Sequence, residues 1–192
     1  MSLASLTLRV TDWLDWLGEA VLQWDELALN WVSTNPWLRR LDGLWVLATY
    51  LGDGYIWGLL GLYLILFGTP ADQANVLVGL GVTMVEITVF RLFKAFFSRP
   101  RPPFLAQGLR QSYLDTHSFP SGHATIGFGM AYLIAYFYPH WSSVLLAYVI
   151  AGAIGLSRVY LREHFPMDVI GGAALGTAIS WVLTPLFWLL IH

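Results

Sequence analysis

The sequence Ser-Phe-Pro-Ser-Gly-His at residues 118–123 places a histidine and free backbone N–H groups at the start of an apolar run. Pro120 and Ser121 suit the first positions of a helix, where unpaired N–H groups and the positive dipole end favour an anion. A serine cap alone is a common device, so Ser121 and His123 become candidates for chemistry only with partners elsewhere in the chain.

Ionisable residues inside apolar runs are the second group of candidates, because an intramembrane charge is costly and usually serves a function or a partner. These residues are Asp53, Glu86, Arg91, Lys94, Arg158 and Asp168. For Asp53 and Glu86 we favour structural carboxylates that hydrogen-bond or pair between helices, with Arg91 as a partner for either. Taken singly, Lys94 and Arg158 are as well explained by side chains that extend to the membrane interface.

Composition indicates where the protein resides. Of its 192 residues 57% are hydrophobic and 11% charged, and the mean hydropathy is +0.61, values typical of a protein in lipid. The chain has no cysteine and therefore no disulfide or thiolate metal site, and a net charge of −2 gives no basic excess for nucleic acid. We expect a single membrane domain over residues 1–192 that does not bind nucleic acid.

Five apolar runs predict the bundle that positions the candidate residues. They lie at 44–67, 74–97, 122–138, 142–161 and 167–191. Most approach the ~20 residues that cross a bilayer core, so we predict an all-α membrane protein with about five transmembrane helices over residues 44–191. The N-terminus, the connection 98–121 and the turn near Arg162 would then share one side of the membrane.

The first 40 residues are predicted to form an amphipathic helical segment at the membrane interface. Apolar residues recur there at the three-and-four spacing of a helical stripe: Leu6, Val10, Trp13, Leu14, Leu17, Val21, Trp24, Ala28 and Trp31. Polar residues occupy the opposite face, and a spanning helix would place several carboxylates in hydrocarbon at roughly 2.5 to 3.5 kcal/mol each. Packing onto the bundle or onto another subunit is an alternative to lying flat, and Asn35-Pro36 ends the segment.

Three separated parts of the chain match one signature with fixed residues at fixed spacing. They are Lys94 followed after six residues by Arg101-Pro102; Pro120-Ser121-Gly122-His123; and Ser157-Arg158 followed after five residues by His164 and after three more by Asp168. With this pattern the chain closely resembles the type 2 phosphatidic acid phosphatase superfamily. The front of the chain departs from that family, because an amphipathic segment stands where members often have a first span.

The residue types also suit phosphoryl transfer on chemical grounds. Catalysis of this reaction is mostly positioning and stabilisation of the charge that spreads over the equatorial oxygens. Lys94, Arg101 and Arg158 supply three cations for the phosphate. The N–H groups of Ser121 and Gly122 at the helix start are predicted to complete the phosphate cradle.

The resemblance implies roles for three further residues. His164 would be the nucleophile that forms a phosphohistidine, and Asp168, four residues on and on the same face of a helix beginning near Pro166, would hold its tautomer. His123 would be the general acid to the leaving oxygen and then the base for water. Three histidines match no motif position and are expected to be ordinary surface residues: His117, His140 and His192.

We therefore predict a metal-independent, cofactor-free membrane phosphatase for a lipid phosphate or diphosphate. The resemblance implies phosphatidic acid, phosphatidylglycerol phosphate, undecaprenyl diphosphate or phosphorylated lipid A as substrate classes. A lipid phosphotransferase with the same site is one alternative. A small transporter that uses the intramembrane charges as an ion relay is an alternative of another class. Vanadium haloperoxidases share the family's active-site pattern, but they are larger soluble proteins and the hydropathy argues against one.

Two arguments about orientation oppose each other. Five arginines outside the motif fall on the predicted active-site side: Arg39, Arg40, Arg99, Arg110 and Arg162. The opposite loops have no Lys or Arg, so the positive-inside rule places the site in the cytoplasm. Many bacterial members of the family face the periplasm instead, which suits recycling of lipid carriers. We expect a protein of the bacterial inner membrane whose site faces the periplasm.

Overall fold

The structure, a computed structural model, describes the backbone of residues 3–103 and 116–191. Arg110 and His192 lie outside these ranges, and the side chains of Leu6, Val10, Leu14 and Leu17 are outside the described part as well. The helices are α1 (Leu3–Thr34), α2 (Pro36–Arg39), α3 (Asp42–Tyr50), a π-helical turn (Leu51–Tyr55), α4 (Ile56–Phe67), α5 (Pro70–Phe97), α6 (Gly122–Phe137), α7 (Trp141–Tyr160) and α8 (Pro166–Ile191). The predicted all-α membrane architecture is confirmed.

Four helical segments among the described residues are long and apolar enough to cross a membrane: Asp42–Phe67, Pro70–Phe97, Trp141–Tyr160 and Pro166–Ile191. The remaining predicted run, 122–138, forms α6, which has 16 residues and so a length of about 24 Å. Helix α6 packs against α5, α7 and α8, and its Ala124, Ala131 and Leu133 are buried. It is the central helix of the bundle.

Small residues allow α6 and α8 to approach closely. A methyl group added at Gly176 would lie 1.9 Å from the Thr125 carbonyl oxygen, and one at Gly172 would lie 2.5 Å from that of Ser121. Such backbone contact is characteristic of small residues repeated every four positions in membrane helices. Because Ser121 caps α6 and Asp168 lies in the first turn of α8, this crossing sets the separation of two motif segments.

Helix α1 has two different faces. Asp25, Leu29 and Ser33 are buried, and the helix contacts α7 and α8. The opposite face is apolar, exposed and rich in tryptophan: Trp13, Trp16, Trp24, Leu27 and Trp31. The amphipathic segment therefore packs onto the bundle, the first of the two alternatives to lying flat. Asn35 ends it by accepting a hydrogen bond from the Trp37 N–H at 2.9 Å, which caps α2.

Glu86 occupies the bundle interior as the structural interpretation predicts. Its side chain is fully buried, and the Ser180 hydroxyl donates a hydrogen bond to its Oε1 at 2.9 Å. A methyl group at Gly129 would lie 1.9 Å from that same oxygen. Glu86 thus links α5, α6 and α8 in the middle of the bundle, whereas Arg91 is exposed.

Candidate active site

The ends of four helices bring the motif residues together at one end of the bundle. Lys94 lies in the last turn of α5, Ser121 at the start of α6, Arg158 in the last turn of α7, and Asp168 in the first turn of α8. Consecutive helices run antiparallel, so these four ends meet. All four side chains are buried, as is His164 in the turn between α7 and α8.

The turn that carries His164 is held by backbone hydrogen bonds. The carbonyl of Arg158 accepts the N–H of Glu163 at 2.9 Å and that of His164 at 3.1 Å. Arg162 has a φ of 57°, in the left-handed region that non-glycine residues seldom occupy. Its side chain donates to Asn30 at 2.8 Å and to the Ser33 hydroxyl at 3.0 Å, so α1 supports this turn.

The His164 ring lies between a carboxylate and a guanidinium. Its Nδ1 is 3.5 Å from Oδ2 of Asp168, and its Nε2 is 3.3 Å from Nη1 of Arg101. The Nδ1 atom makes no hydrogen bond within the described ranges 3–103 and 116–191. The predicted His164–Asp168 pair is therefore close but not directly hydrogen-bonded. Such a distance is compatible with catalysis, because catalytic hydrogen bonds are often long when no substrate is bound.

Asp168 is held by a network that the motif does not contain. Its Oδ2 accepts the Phe165 N–H at 2.8 Å, and its Oδ1 accepts Nη1 of Arg99 at 2.7 Å. The second terminal nitrogen of Arg99 donates to the fully buried Asp25 at 2.6 Å, and Asp25 also accepts the Met167 N–H at 2.9 Å. The carboxylate of Asp25 in α1 thus holds the start of α8 in place through hydrogen bonds.

Sequence reasoning missed Asp25 and treated Arg99 only as a loop charge. The sequence does contain a feature that could have identified Arg99, because Arg99-Pro100 directly precedes the motif pair Arg101-Pro102 and repeats its two residue types. Asp25 has no such feature, because it is one of several carboxylates in an amphipathic helix.

The cations of the site are held by acceptors from other segments. Arg158 forms a buried ion pair with Glu163 and donates to the hydroxyl of Thr49 in α3. Nη1 of Arg101 donates to the Glu163 carbonyl at 2.8 Å. Glu163 and Thr49 were not recognised in the sequence, since neither has a motif position. These contacts fix the orientation of the two guanidinium groups.

The Lys94 ammonium donates to the carbonyl of His117 at 2.9 Å. His117 was expected to be a surface residue, but it is half-buried and pairs with Pro100 in an isolated β-bridge. His140 is exposed, as expected. The connection around His117 therefore lies against the end of α5 and positions Lys94.

One part of the predicted phosphate cradle requires correction. The Ser121 N–H donates to the carbonyl oxygen of Asp168 at 2.9 Å, so it already has an acceptor and joins α6 to α8. The N–H of Gly122 belongs to the first helical turn, where such groups lack an intrahelical partner. Of the two N–H groups predicted to bind phosphate, that of Ser121 is thus already hydrogen-bonded, and that of Gly122 stays a prediction.

Burial and charge act together on His164. Burial, reinforced by the nearby cations Arg158, Arg101 and Lys94, holds the pKa of His164 well below its usual range. The ring is therefore neutral at ordinary pH, which is the state a nitrogen nucleophile requires.

His123 is held by a carboxylate of the first span. Its Nε2 lies 2.8 Å from Oδ1 of Asp53 in the π-helical turn, and both side chains are partly exposed. Asp53 was interpreted as a structural carboxylate, but its observed partner is a motif histidine. No group of three or more His, Asp or Glu side chains suited to a metal ion occurs in the part of the chain that the structure describes.

Comparison with known proteins agrees with this arrangement. The family model of the PAP2 superfamily matches residues 74–191. Phosphatidylglycerophosphatase B of Bacillus subtilis is 35% identical over 102 residues, 48% of this chain and 48% of that protein, so the match spans about half of that relative's length. Undecaprenyl-diphosphatase of Sulfolobus acidocaldarius is 29% identical over 149 residues, 76% of this chain and 70% of that protein.

A solved structure is also similar to the whole bundle. The crystal structure of Aquifex aeolicus LpxE has a TM-score of 0.68 and 27% sequence identity, and the match covers 85% of this chain and 94% of that one. The resemblance drawn from motif spacing is confirmed, since more than half of the chain fits the family and the same residues converge in space. The chain belongs to the PAP2 superfamily.

Proposed function

We propose that the protein hydrolyses a phosphate monoester or diphosphate of a membrane lipid through a phosphohistidine. One observation carries this proposal: the buried ring of His164 lies beside Asp168 and 3.3 Å from the guanidinium of Arg101. A nucleophile surrounded by cations fits a reaction in which negative charge develops on phosphoryl oxygens.

The proposed reaction has two steps. Nε2 of His164 attacks phosphorus, the bond from phosphorus to the leaving oxygen breaks, and that oxygen takes a proton from His123. Water then attacks the phosphohistidine, His123 recovers a proton from it, and the bond from phosphorus to nitrogen breaks. Asp168 stabilises the positive ring in the intermediate, as the carboxylate does in serine protease triads.

The phosphate is bound by Arg101, Arg158, Lys94 and the Gly122 N–H. The two guanidinium groups offer planar donor pairs that match phosphate oxygens, whereas Lys94 acts as a point charge. Arg101 and Arg158 already contact acceptors of the chain. Little reorganisation is then needed when the phosphate arrives, which favours catalysis by positioning.

The substrate class follows from the position of the site. The site lies at the end of a bundle of membrane-spanning helices, so a lipid can present its headgroup there while its tail stays in the bilayer. Relatives named for phosphatidylglycerophosphate and undecaprenyl diphosphate support these two lipids as substrates. Phosphatidic acid and phosphorylated lipid A complete the panel of four candidate substrates.

Release of inorganic phosphate by purified protein tests the proposal. We expect release from at least one lipid of that panel without an added acceptor and with excess chelator, because cations of the chain take the place of a metal. His164→Ala should abolish release, and His140→Ala, which changes an exposed histidine at the other end, should not. Transfer of phosphate only when a second lipid is present would instead identify a phosphotransferase.

The active site is proposed to face the periplasm of a bacterial inner membrane. The chain has no native cysteine, so single cysteines report orientation directly. Thr116 is exposed on the active-site side, and Ser142 is exposed at the start of α7 on the other side. In intact cells an impermeant reagent should label Thr116→Cys and not Ser142→Cys. The reverse pattern would place the site in the cytoplasm.

A further inference from the structure

The first span is interrupted where it passes the active site. Between α3 and α4, residues Leu51–Tyr55 form a π-helical turn, and Gly54 has a φ of 105°. This left-handed conformation is accessible to glycine at little cost. Single π-helical turns within α-helices occur frequently at functional sites. The turn projects Asp53 towards the start of α6, outside the residues 74–191 that match the family model.

Gly52 shows that this turn is shaped around the ring of His123. A methyl group at Gly52 would lie 2.8 Å from Cδ2 of His123 and 2.6 Å from Cγ2 of Ile154. Gly52 is itself buried, so the backbone of the turn lies against the imidazole. Asp53 then reaches Nε2 of the same ring at 2.8 Å.

The contact between Asp53 and His123 has the length of a charge-assisted hydrogen bond. The side chains of His123 and Asp53 are 19% and 24% exposed, so the pair is not fully desolvated. A carboxylate beside Nε2 favours the protonated imidazole. It also holds the proton on Nε2, so that the proton on Nδ1 is the one available for transfer. Both effects are what a general acid requires.

We propose that Asp53 is a positioning residue that holds His123 as the general acid of the reaction. This inference rests on the proposed function. Asp53 accepts the Nε2 proton, and the proton on Nδ1 is the one transferred to the leaving oxygen as its bond to phosphorus breaks. In the second step Nδ1 takes a proton from the attacking water, which returns His123 to its starting state.

In a simpler role Asp53 would only join the π-helical turn to α6, and the two roles predict different kinetics. An alkyl phosphate needs a proton on its leaving oxygen, whereas an aryl phosphate or a diphosphate releases a more stable anion. General acids typically contribute 10²- to 10⁴-fold, and we expect Asp53→Asn to lower kcat/KM, which reports the steps up to departure of the leaving group, by about 10- to 100-fold for an alkyl phosphate lipid. The same change should lower kcat/KM for the aryl phosphate by less than about threefold, because proton transfer adds little to departure of that leaving group.

The pH dependence provides a second readout. In Asp53→Asn the alkaline limb of the rate profile should move to lower pH, because the protonated ring loses its counter-charge. Asp53→Glu should restore part of both effects. Asp42→Asn is the matched control, since it changes a carboxylate at the start of the same span that accepts a hydrogen bond from Tyr160.

Titration of His123 by NMR in detergent separates this inference from the proposed function. In Asp53→Asn the midpoint for protonation of His123 should fall, and in Asp42→Asn it should not move. An unchanged midpoint, or equal losses of kcat/KM on alkyl and aryl substrates, would overturn the positioning role. If the unsubstituted protein releases no phosphate from any substrate, the proposed function fails, and the titration still decides whether Asp53 controls His123.

Discussion

Arg99 and Asp168 form a 2.7 Å ion pair in which the Asp168 side chain is fully buried and that of Arg99 is 19% exposed. The other side of the Arg99 guanidinium pairs with the buried Asp25 at 2.6 Å. One guanidinium therefore pairs with two buried carboxylates, and its loss would leave both without a counter-charge. The carboxylate beside His164 depends in this way on a residue of α1.

Asp25→Asn should lower turnover and stability together. The substitution keeps the shape of the side chain but removes one of the two charges that hold Arg99, so Asp168 loses its fixed position. Breaking a buried pair costs roughly 3 to 5 kcal/mol when one partner is removed, and the amide should cost less because it still accepts a hydrogen bond. Thermal unfolding and kcat are the measurements. Glu26→Gln, an exposed neighbour, is the control. An Asp25→Asn protein that matches this control would show that α1 does not support the site.

The covalent step predicts a trapped intermediate on one residue. Enzyme mixed with ³²P-labelled lipid and quenched without acid should carry label on His164, in a linkage that acid destroys. Asp168→Asn should form the label slowly, since the corresponding change in a serine protease lowers the rate by about 10⁴. Peptide mapping locates the label. Label on another residue, or full turnover in His164→Ala, would reject the phosphohistidine.

The acid limb of the rate profile should lie at low pH. Burial and the nearby cations lower the pKa of His164 well below the usual 6.5, so the ring stays neutral and able to attack as the pH falls below that value. The profile of kcat/KM reports the free enzyme and should therefore retain activity below pH 6.5. Two substrates whose phosphates ionise at different pH separate the substrate's titration from that of the enzyme. A shared acid limb at or above pH 6.5 would contradict the assignment.

The crossing of α6 and α8 should not tolerate a single added methyl group. In Gly176→Ala the new Cβ would lie 1.9 Å from a backbone oxygen, which cannot move as a flexible side chain would. Overpacking of this kind typically costs about 1 to 3 kcal/mol and here also separates Ser121 from Asp168. Gly152→Ala in α7 is the control, because nothing lies within 4 Å of its Cβ and alanine favours a helix by about 1 kcal/mol. We expect a lower Tm and lower kcat for Gly176→Ala alone.

The convergence of the motif segments could be predicted from the sequence because each predicted span carries the chain to the opposite side of the membrane, so successive spans run antiparallel even across the long connection 98–121. Lys94, Arg158 and Asp168 lie at helix ends that alternate along the chain, so they must meet on one side. The helical stripe of residues 1–40 likewise indicated an amphipathic helix, although the choice between lipid and bundle needed the structure.

The partners of the motif residues could not be predicted, because they depend on how the first two helical segments pack. Asp25 and Asp53 come from different segments, and their spacing from the motif carries no periodic signal. The contact of Ser121 with Asp168 also arises from tertiary packing, because it requires the close crossing of α6 and α8. A helix start indicates which N–H groups are unpaired within the helix, but not which of them another helix already uses.

The polar contacts of α1, α3 and the π-helical turn limit how this enzyme can be recombined with its relatives. Asp25, Thr49 and Asp53 all precede residue 74, where the match to the family begins, and they contact Arg99, Arg158 and His123 respectively. A chimera that keeps residues 74–191 and exchanges the first 73 must therefore supply three matching acceptors, even if every motif residue is retained. The unit that can be exchanged without loss of these contacts is larger than the signature that identifies the family.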